Sequence, residues 1–124
     1  STFFGLAALD LGPLAPKPTS IEGDQREAAL TLCSHDGGRV EIGIWECTPG
    51  RFTADRTTTA EFCHFISGLV EMTHADGRKE TLGPGDAINL PLGWKGEWRV
   101  IERHSARPET PTASTDALRE MSES

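Results

Sequence analysis

The fold is decided by Glu61-Phe62-Cys63-His64-Phe65-Ile66-Ser67-Gly68 and by Gly83-Pro84-Gly85-Asp86-Ala87-Ile88-Asn89-Leu90-Pro91-Leu92-Gly93. Between these stretches, Ala75-Asp76-Gly77 separates two alternating segments, and Asp-Gly in that setting is a strong hairpin signal. Strand pairs bounded by glycine in this order are typical of a small β-barrel.

Short β-favouring segments recur along the rest of the chain. Two of them flank the turn signal His35-Asp36-Gly37-Gly38-Arg39 and predict a second hairpin. The threonine-rich segment 51–60 suits an edge strand or a loop at the barrel mouth. The pattern as a whole predicts strands over 28–34, 40–47, 61–67, 69–74, 78–82, 87–90 and 97–102. We therefore expect an all-β fold.

The two ends of the chain differ in composition from the middle. Residues 1–20 contain several prolines, so an extended arm is expected there rather than a helix. We predict one barrel domain over 21–105 and a polar tail over 106–124. Within the tail, Ser114 is placed to cap a short helix over 115–121.

Composition and charge argue against several classes of function. The 124 residues fit one domain, and 12 Lys and Arg against 19 Asp and Glu give a net charge of −7. Because the sequence has no basic stripe, we expect no binding to nucleic acid. Apolar runs are too short to span a membrane, and the apolar segment 3–9 lacks the basic start of a signal peptide. We expect a cytoplasmic protein with buried, reduced cysteines.

The two motifs resemble those of the cupins. The first cupin motif ends in a glutamate, six residues and a glycine, as in 61–68, and the second has a glycine, five residues, proline, one residue and glycine, as in 85–93. Segments 43–52, 84–86 and 98–100 make the chain most similar to the compact DUF861 (cupin_3) group, which includes domains similar to ureidoglycine aminohydrolase and ethanolamine-utilisation cupins. The resemblance implies a single jelly-roll barrel, or double-stranded β-helix.

Most metal ligands of the general cupin pattern are missing from this sequence. Cupins place His-x-His shortly before the first-motif glutamate, whereas 54–60 contains no histidine. Gly96 stands where the second motif has its histidine, so only Glu61 is left of the four ligands that the resemblance implies. We therefore predict no ordinary cupin metal site and no cofactor. A divalent metal held by Glu61 with Cys63 and Cys47 is an alternative.

Glu61 is the predicted catalytic residue. In the cupin register its side chain points into the barrel, where a carboxylate is costly unless it is paired or protonated. It then acts as a general acid or base, or as an anchor for a substrate amine. The structural alternative is a carboxylate that merely pairs with an interior arginine or tryptophan.

Residues around Glu61 and at the predicted mouth are candidates for binding a ligand. Trp94 lies in a glycine-flanked segment, where it can stack on a flat polar ligand while Lys95 supplies charge. Alternatively, Trp94 forms a dimer contact and the polar mouth residues are simply solvated, whereas Trp45 and Trp98 belong to the core. The predicted ligand-binding residues are Trp94, Lys95, Asn89, Arg51 and Cys63.

Three functions follow from different interpretations of these residues. The first, which we favour, is a metal-independent cupin that binds a small polar metabolite such as a ureide, an amine or a sugar. The second is a metal-dependent enzyme with unconventional ligands, similar to ureidoglycine aminohydrolase. The third is a structural or regulatory dimer with a closed apolar interior. The sequence does not decide whether catalysis accompanies binding.

A homodimer is expected from the outer face of the central strand. Phe62, His64 and Ile66 alternate with the inward residues of 61–67 and form an apolar face on the outside of the barrel. Exposed apolar patches of this kind usually mark interfaces, and two-fold dimers are the commonest assembly.

Overall fold

Two antiparallel sheets form the barrel. The computed structural model describes residues 2–101 and 117–124. Its strands are β1 (Ala15–Pro16), β2 (Ser20–Glu22), β3 (Arg26–His35), β4 (Val40–Cys47), β5 (Gly50–Asp55), β6 (Glu61–Ser67), β7 (Val70–His74), β8 (Lys79–Leu82), β9 (Ala87–Leu90), β10 (Lys95–Val100) and β11 (Leu118–Glu123). One sheet has the order β1-β3-β4-β11-β6-β9 and the other β2-β5-β10-β7-β8. The predicted all-β jelly-roll fold is confirmed.

The core lies between the sheets, because alternate residues of each strand point inward. In β6, Cys63 and Phe65 are fully buried, whereas Phe62 on the other face is 47% exposed. Trp98 of β10 is 1% exposed and packs edge-to-face against Trp45 of β4, with ring centroids 5.7 Å apart. The prediction that Trp98 belongs to the core is confirmed, whereas Trp45 is partly buried and packs against the core.

The hairpin predicted from Asp76-Gly77 is also confirmed. It joins β7 to β8, whose paired residues run from Val70 opposite Leu82 to Thr73 opposite Lys79. Gly77 has φ of +87°, a left-handed conformation that glycine adopts without steric cost. The Asp76 carboxylate accepts a hydrogen bond from the Arg78 backbone N–H at 2.9 Å and closes the turn.

The helix predicted in the tail is wrong where the structure describes it. Leu118–Glu123 forms β11, an inner strand that pairs with β4 on one side and with β6 on the other. The proposed cap, Ser114, lies outside the described residues. Residues such as Leu, Arg, Glu and Met favour helix intrinsically, but pairing on both edges outweighs that weak preference.

The N-terminal residues pack on the barrel instead of leaving it. β1 pairs with β3, and β2 pairs with β5. On the outer side of the six-stranded sheet, Arg119 of β11 donates hydrogen bonds to the carbonyl oxygens of Leu6 and Leu9 at 2.7 and 2.8 Å. Lys17 follows β1 directly, and this placement brings its side chain to the inner side of the barrel.

Across residues 2–101 and 117–124, we find no helix with the length and apolar character needed to cross a membrane.

Candidate functional site

A cavity of about 260 Å³ opens along the inner faces of β3, β4 and β11. Its wall combines aromatic rings with charged groups. The residues with polar side chains that matter for its chemistry are Lys17, Trp45, Arg56, Glu61, Trp98 and Glu120. The interpretation as a purely structural dimer requires a closed, apolar interior. The interior observed is open and partly polar.

Glu61 begins β6 and lies at the cavity wall with two hydrogen-bond donors. Arg56 Nη2 donates to Glu61 Oε1 at 3.1 Å and forms an ion pair with it. The Cys63 thiol donates to the same oxygen at 3.0 Å. Because residues two apart on a strand share a face, the local sequence correctly places Glu61 and Cys63 together. Their predicted catalytic and ligand-binding roles remain predictions.

Glu120 is the residue that the sequence interpretation missed. It lies in β11, opposite Phe65 on one side and Trp45 on the other, and it is only 3% exposed. Burial and, after it, the negative charge of Glu61 raise the pKa of its carboxyl to about 8, although Cys63, Arg56 and Lys17 offset part of that rise. In the alternation of 118–123, Leu118 and Glu120 share a face, which is the signal that could have revealed it.

The thiol beside these two carboxyl groups is held in its protonated form. Burial raises the pKa of Cys63, and the charges of Glu120 and Glu61 add to that effect. A protonated, buried thiol is a poor nucleophile.

A second charged group borders the cavity near β1. Lys17 Nζ donates to Glu27 Oε1 at 2.7 Å, and Trp45 Nε1 donates to the same oxygen at 2.9 Å. The ammonium group also lies 4.2 Å from the centre of the Phe52 ring, within range of a cation–π contact. Lys17 and Glu27 thus balance each other, as do Arg56 and Glu61.

Three buried polar atoms in the cavity wall have no hydrogen-bond partner among the described residues: Glu120 Oε2, Trp98 Nε1 and Arg56 Nε. One is an acceptor or, if protonated, a donor, and two are donors. Buried polar atoms in native proteins are almost always bonded to protein or water. An unsatisfied set on a single cavity therefore indicates the place where a ligand or water binds.

Two of the predicted ligand-binding residues, Trp94 and Lys95, do not line this cavity. Trp94 Nε1 donates to His74 Nδ1 at 3.0 Å, and the two rings meet edge-to-face. Lys95 is exposed, with its ammonium 3.9 Å from Asp55, and borders a neighbouring depression of about 600 Å³. That depression shares Lys17 and Arg56 with the cavity.

Arg51 and Asn89, two further predicted ligand-binding residues, also lie away from the cavity. Arg51 alternates with buried Phe52 and lies on the outer side of the five-stranded sheet, where it pairs with Glu97 at 3.1 Å and Glu22 at 3.3 Å. Asn89 is exposed and opposite Phe62, on the outer side of the other sheet. Sequence alternation alone did not reveal which face of these strands points inward.

The ordinary cupin metal site does not fit these residues. At Gly96, an added Cβ would contact the Thr73 carbonyl oxygen and would lie 2.6 Å from the Trp94 ring, so the position has no room for a histidine. A different donor set does converge: ligand atoms of Glu61, Cys63 and Glu120 all lie within 4.8 Å of one another.

Comparison with known families agrees with this architecture. The model of the EutQ-like cupin domain, Cupin_3, matches residues 35–106, which is more than half of the 124 residues. The chain belongs to the EutQ-like cupin family. The matched range includes Glu61 and Cys63, but Lys17 and Glu120 lie outside it. A search of curated proteins found no match.

Solved structures of this cupin's relatives share its fold at low sequence identity. The EutQ protein of Clostridium difficile is 18% identical with a TM-score of 0.57, and the match covers 80% of this chain and 67% of that one. A Salmonella typhimurium protein assigned to ethanolamine utilization (EutQ) is 16% identical with a TM-score of 0.59, and the match covers 89% of this chain and 76% of that one. A DUF861 protein of unknown function from Pseudomonas syringae is 20% identical with a TM-score of 0.66. The match covers 91% of this chain but only 44% of that protein, which is less than half its length.

Proposed function

We propose that this cupin binds a small polar metabolite in its barrel cavity, with Glu61 as the principal anchor. The observation that carries the proposal is the set of unsatisfied polar atoms on the cavity wall, contributed by Glu120, Trp98 and Arg56. Leaving a buried donor or acceptor without a partner costs about 1–3 kcal/mol, so three of them favour a bound partner.

The size and charge of the cavity restrict the ligand. Its volume of about 260 Å³ is below the range usual for sites that bind drug-sized molecules. Its charges are paired, Lys17 with Glu27 and Arg56 with Glu61, which favours a ligand with little net charge. The rings of Trp45, Phe52 and Trp98 supply an apolar surface for the body of the ligand. A ureide or a sugar meets these requirements, whereas a small amine, which is cationic at neutral pH, would need Glu61 as its counter-charge.

The test is a thermal-shift screen followed by calorimetry on protein kept in EDTA. The panel contains small amines including ethanolamine, ureides and monosaccharides. We expect at least one compound to raise the Tm of the wild type. For that compound, Glu61→Gln should weaken binding by a factor of about ten or more, because the amide removes the anchoring charge.

A matched pair of tryptophan variants locates the bound ligand. Trp98→Phe removes an unsatisfied donor in the cavity wall, whereas Trp94→Phe removes a donor already bonded to His74. We expect the first to weaken binding and the second to leave it unchanged. The opposite result would place the ligand at the predicted Trp94 rim. Equal affinity for the wild type, Glu61→Gln and Trp98→Phe would overturn the proposal.

A further inference from the structure

Three donor side chains meet where β6 and β11 lie side by side. Ligand atoms of Glu61, Cys63 and Glu120 are all within 4.8 Å of one another. Around a tetrahedral zinc ion, bond lengths of about 2.0–2.3 Å separate neighbouring donors by roughly 3.3–3.7 Å. Shifts of about an ångström therefore suffice for the three side chains to enclose an ion.

A second observation at the same place points to a missing partner. Glu120 is 3% exposed, and its Oε2 has no hydrogen-bond partner among the described residues. The carboxyl group lies beside a second carboxylate, Glu61, so an additional acceptor would not satisfy the pair. A cation bound between the two would satisfy both carboxylates.

We propose that Glu61, Cys63 and Glu120 bind a divalent transition metal, with a further coordination position open to the cavity. The sulfur donor favours Zn²⁺ or Co²⁺ over Mg²⁺ and Ca²⁺, which take oxygen ligands. Two carboxylates and a thiolate carry three negative charges, and Arg56, bonded to Glu61, supplies one positive charge. A divalent ion therefore brings the local charge to zero.

This site differs from the four-ligand site of other cupins and does not depend on the proposed function. Cys63 and Glu120 supply two of the three donors in place of histidines. The ion can bind whether or not a metabolite follows it. The two proposals therefore fail separately: metabolite binding is measured in EDTA, and metal binding is measured without any metabolite.

The test is a titration of the full chain, prepared without a histidine tag and stripped of metal, with Co²⁺ alone. It is done in a Cys33→Ser background, because the Cys33 sulfur lies 3.5 Å from His35 Nε2 at the surface and the two could bind cobalt separately. We expect saturation at one ion per chain, with a thiolate-to-cobalt charge-transfer band in the near ultraviolet. Competition with Zn²⁺ should displace the cobalt and abolish the band.

Two variants assign the ligands. Cys63→Ser should remove the charge-transfer band, whereas Cys47→Ser, at another buried core cysteine, should retain it. Glu120→Gln should weaken cobalt binding by a factor of roughly ten or more while keeping the band. If Cys63→Ser does not fold, the Cys33→Ser/Cys47→Ser protein, with Cys63 as its only thiol, must still show the band. Absence of saturable binding, or a band that survives Cys63→Ser, would overturn the proposal.

Discussion

Glu27 is a partly buried, charged residue that is stabilised by its neighbours Lys17 and Trp45. Burial raises the pKa of its carboxyl, but the hydrogen bonds from Lys17 and Trp45 and the charge of Lys17 outweigh burial, so that the pKa is lowered overall from its ordinary value of 4.5. A lowered pKa means that the ionised group stabilises the fold above the pKa of the unfolded chain. That stabilisation is lost as the pH falls through the pKa of the folded state.

Glu27→Gln should therefore change the acid dependence of stability. We expect the variant to unfold more easily than the wild type near neutral pH, and the difference in free energy of unfolding to shrink as the pH falls below about 4.5. Urea denaturation of both proteins at a series of pH values measures this difference in free energy of unfolding. Glu41→Gln, at an exposed glutamate, is the control and should give little difference at any pH. A wild-type-to-Glu27→Gln difference that stays constant with pH would contradict this account.

Single residues also show how far sequence reasoning reaches. Glu61 and Cys63 were placed on one face correctly because strand alternation is a local property. Lys17 was missed because its position depends on which distant strands pair, and no local pattern encodes that pairing. Glu120 was missed because 118–121 was assigned to a helix, so the strand alternation that puts it on the Leu118 face was not considered. Asn89 and Arg51 were assigned to the mouth although their strands turn those side chains outward.

β11 is the element on which the candidate site depends. It carries Glu120 and separates β4 from β6, although the sequence pattern assigned this segment to a helix. Its start passes very close to Gly68, which directly follows β6. A Cβ added to Gly68 would lie 2.7 Å from both the Ala117 carbonyl oxygen and the Leu118 Cα.

Gly68→Ala should disturb the docking of β11, with Gly77→Ala as the matched control. Both glycines have a left-handed backbone, with φ of +86° and +87°, but nothing lies within 4 Å of a Cβ at Gly77. Gly77→Ala should cost about 1–2 kcal/mol from backbone strain alone. Gly68→Ala should cost roughly a further 1–3 kcal/mol from the steric overlap. Equal losses of unfolding free energy in denaturant would mean that β11 does not pack as described.

Apolar side chains remain exposed on the surface of the whole molecule. Phe62 is 47% exposed on the outer side of β6, and Phe4 in the N-terminal segment is 85% exposed. Surfaces of this kind commonly mark protein interfaces. The homodimer expected from the sequence stays a prediction.

Light scattering on the intact chain tests the dimer. We expect a mass of roughly twice the 13.4 kDa of one chain. Phe62→Asp should shift the protein to the monomer, because it places a charge in the apolar contact. Thr81→Asp, at an exposed position on β8 of the other sheet, is the control and should leave the mass unchanged. A monomer mass for the wild type would refute the prediction.

The central place of β11 also has a consequence for biosynthesis. β11 is the last described strand to leave the ribosome, yet it lies between β4 and β6. A nascent chain that ends before it therefore has one unpaired edge on β4 and one on β6, and open strand edges recruit other chains. Until Leu118–Glu123 has been synthesised, the growing polypeptide lacks the strand that protects these edges, and until residue 120 has been added it also lacks the carboxyl group of Glu120.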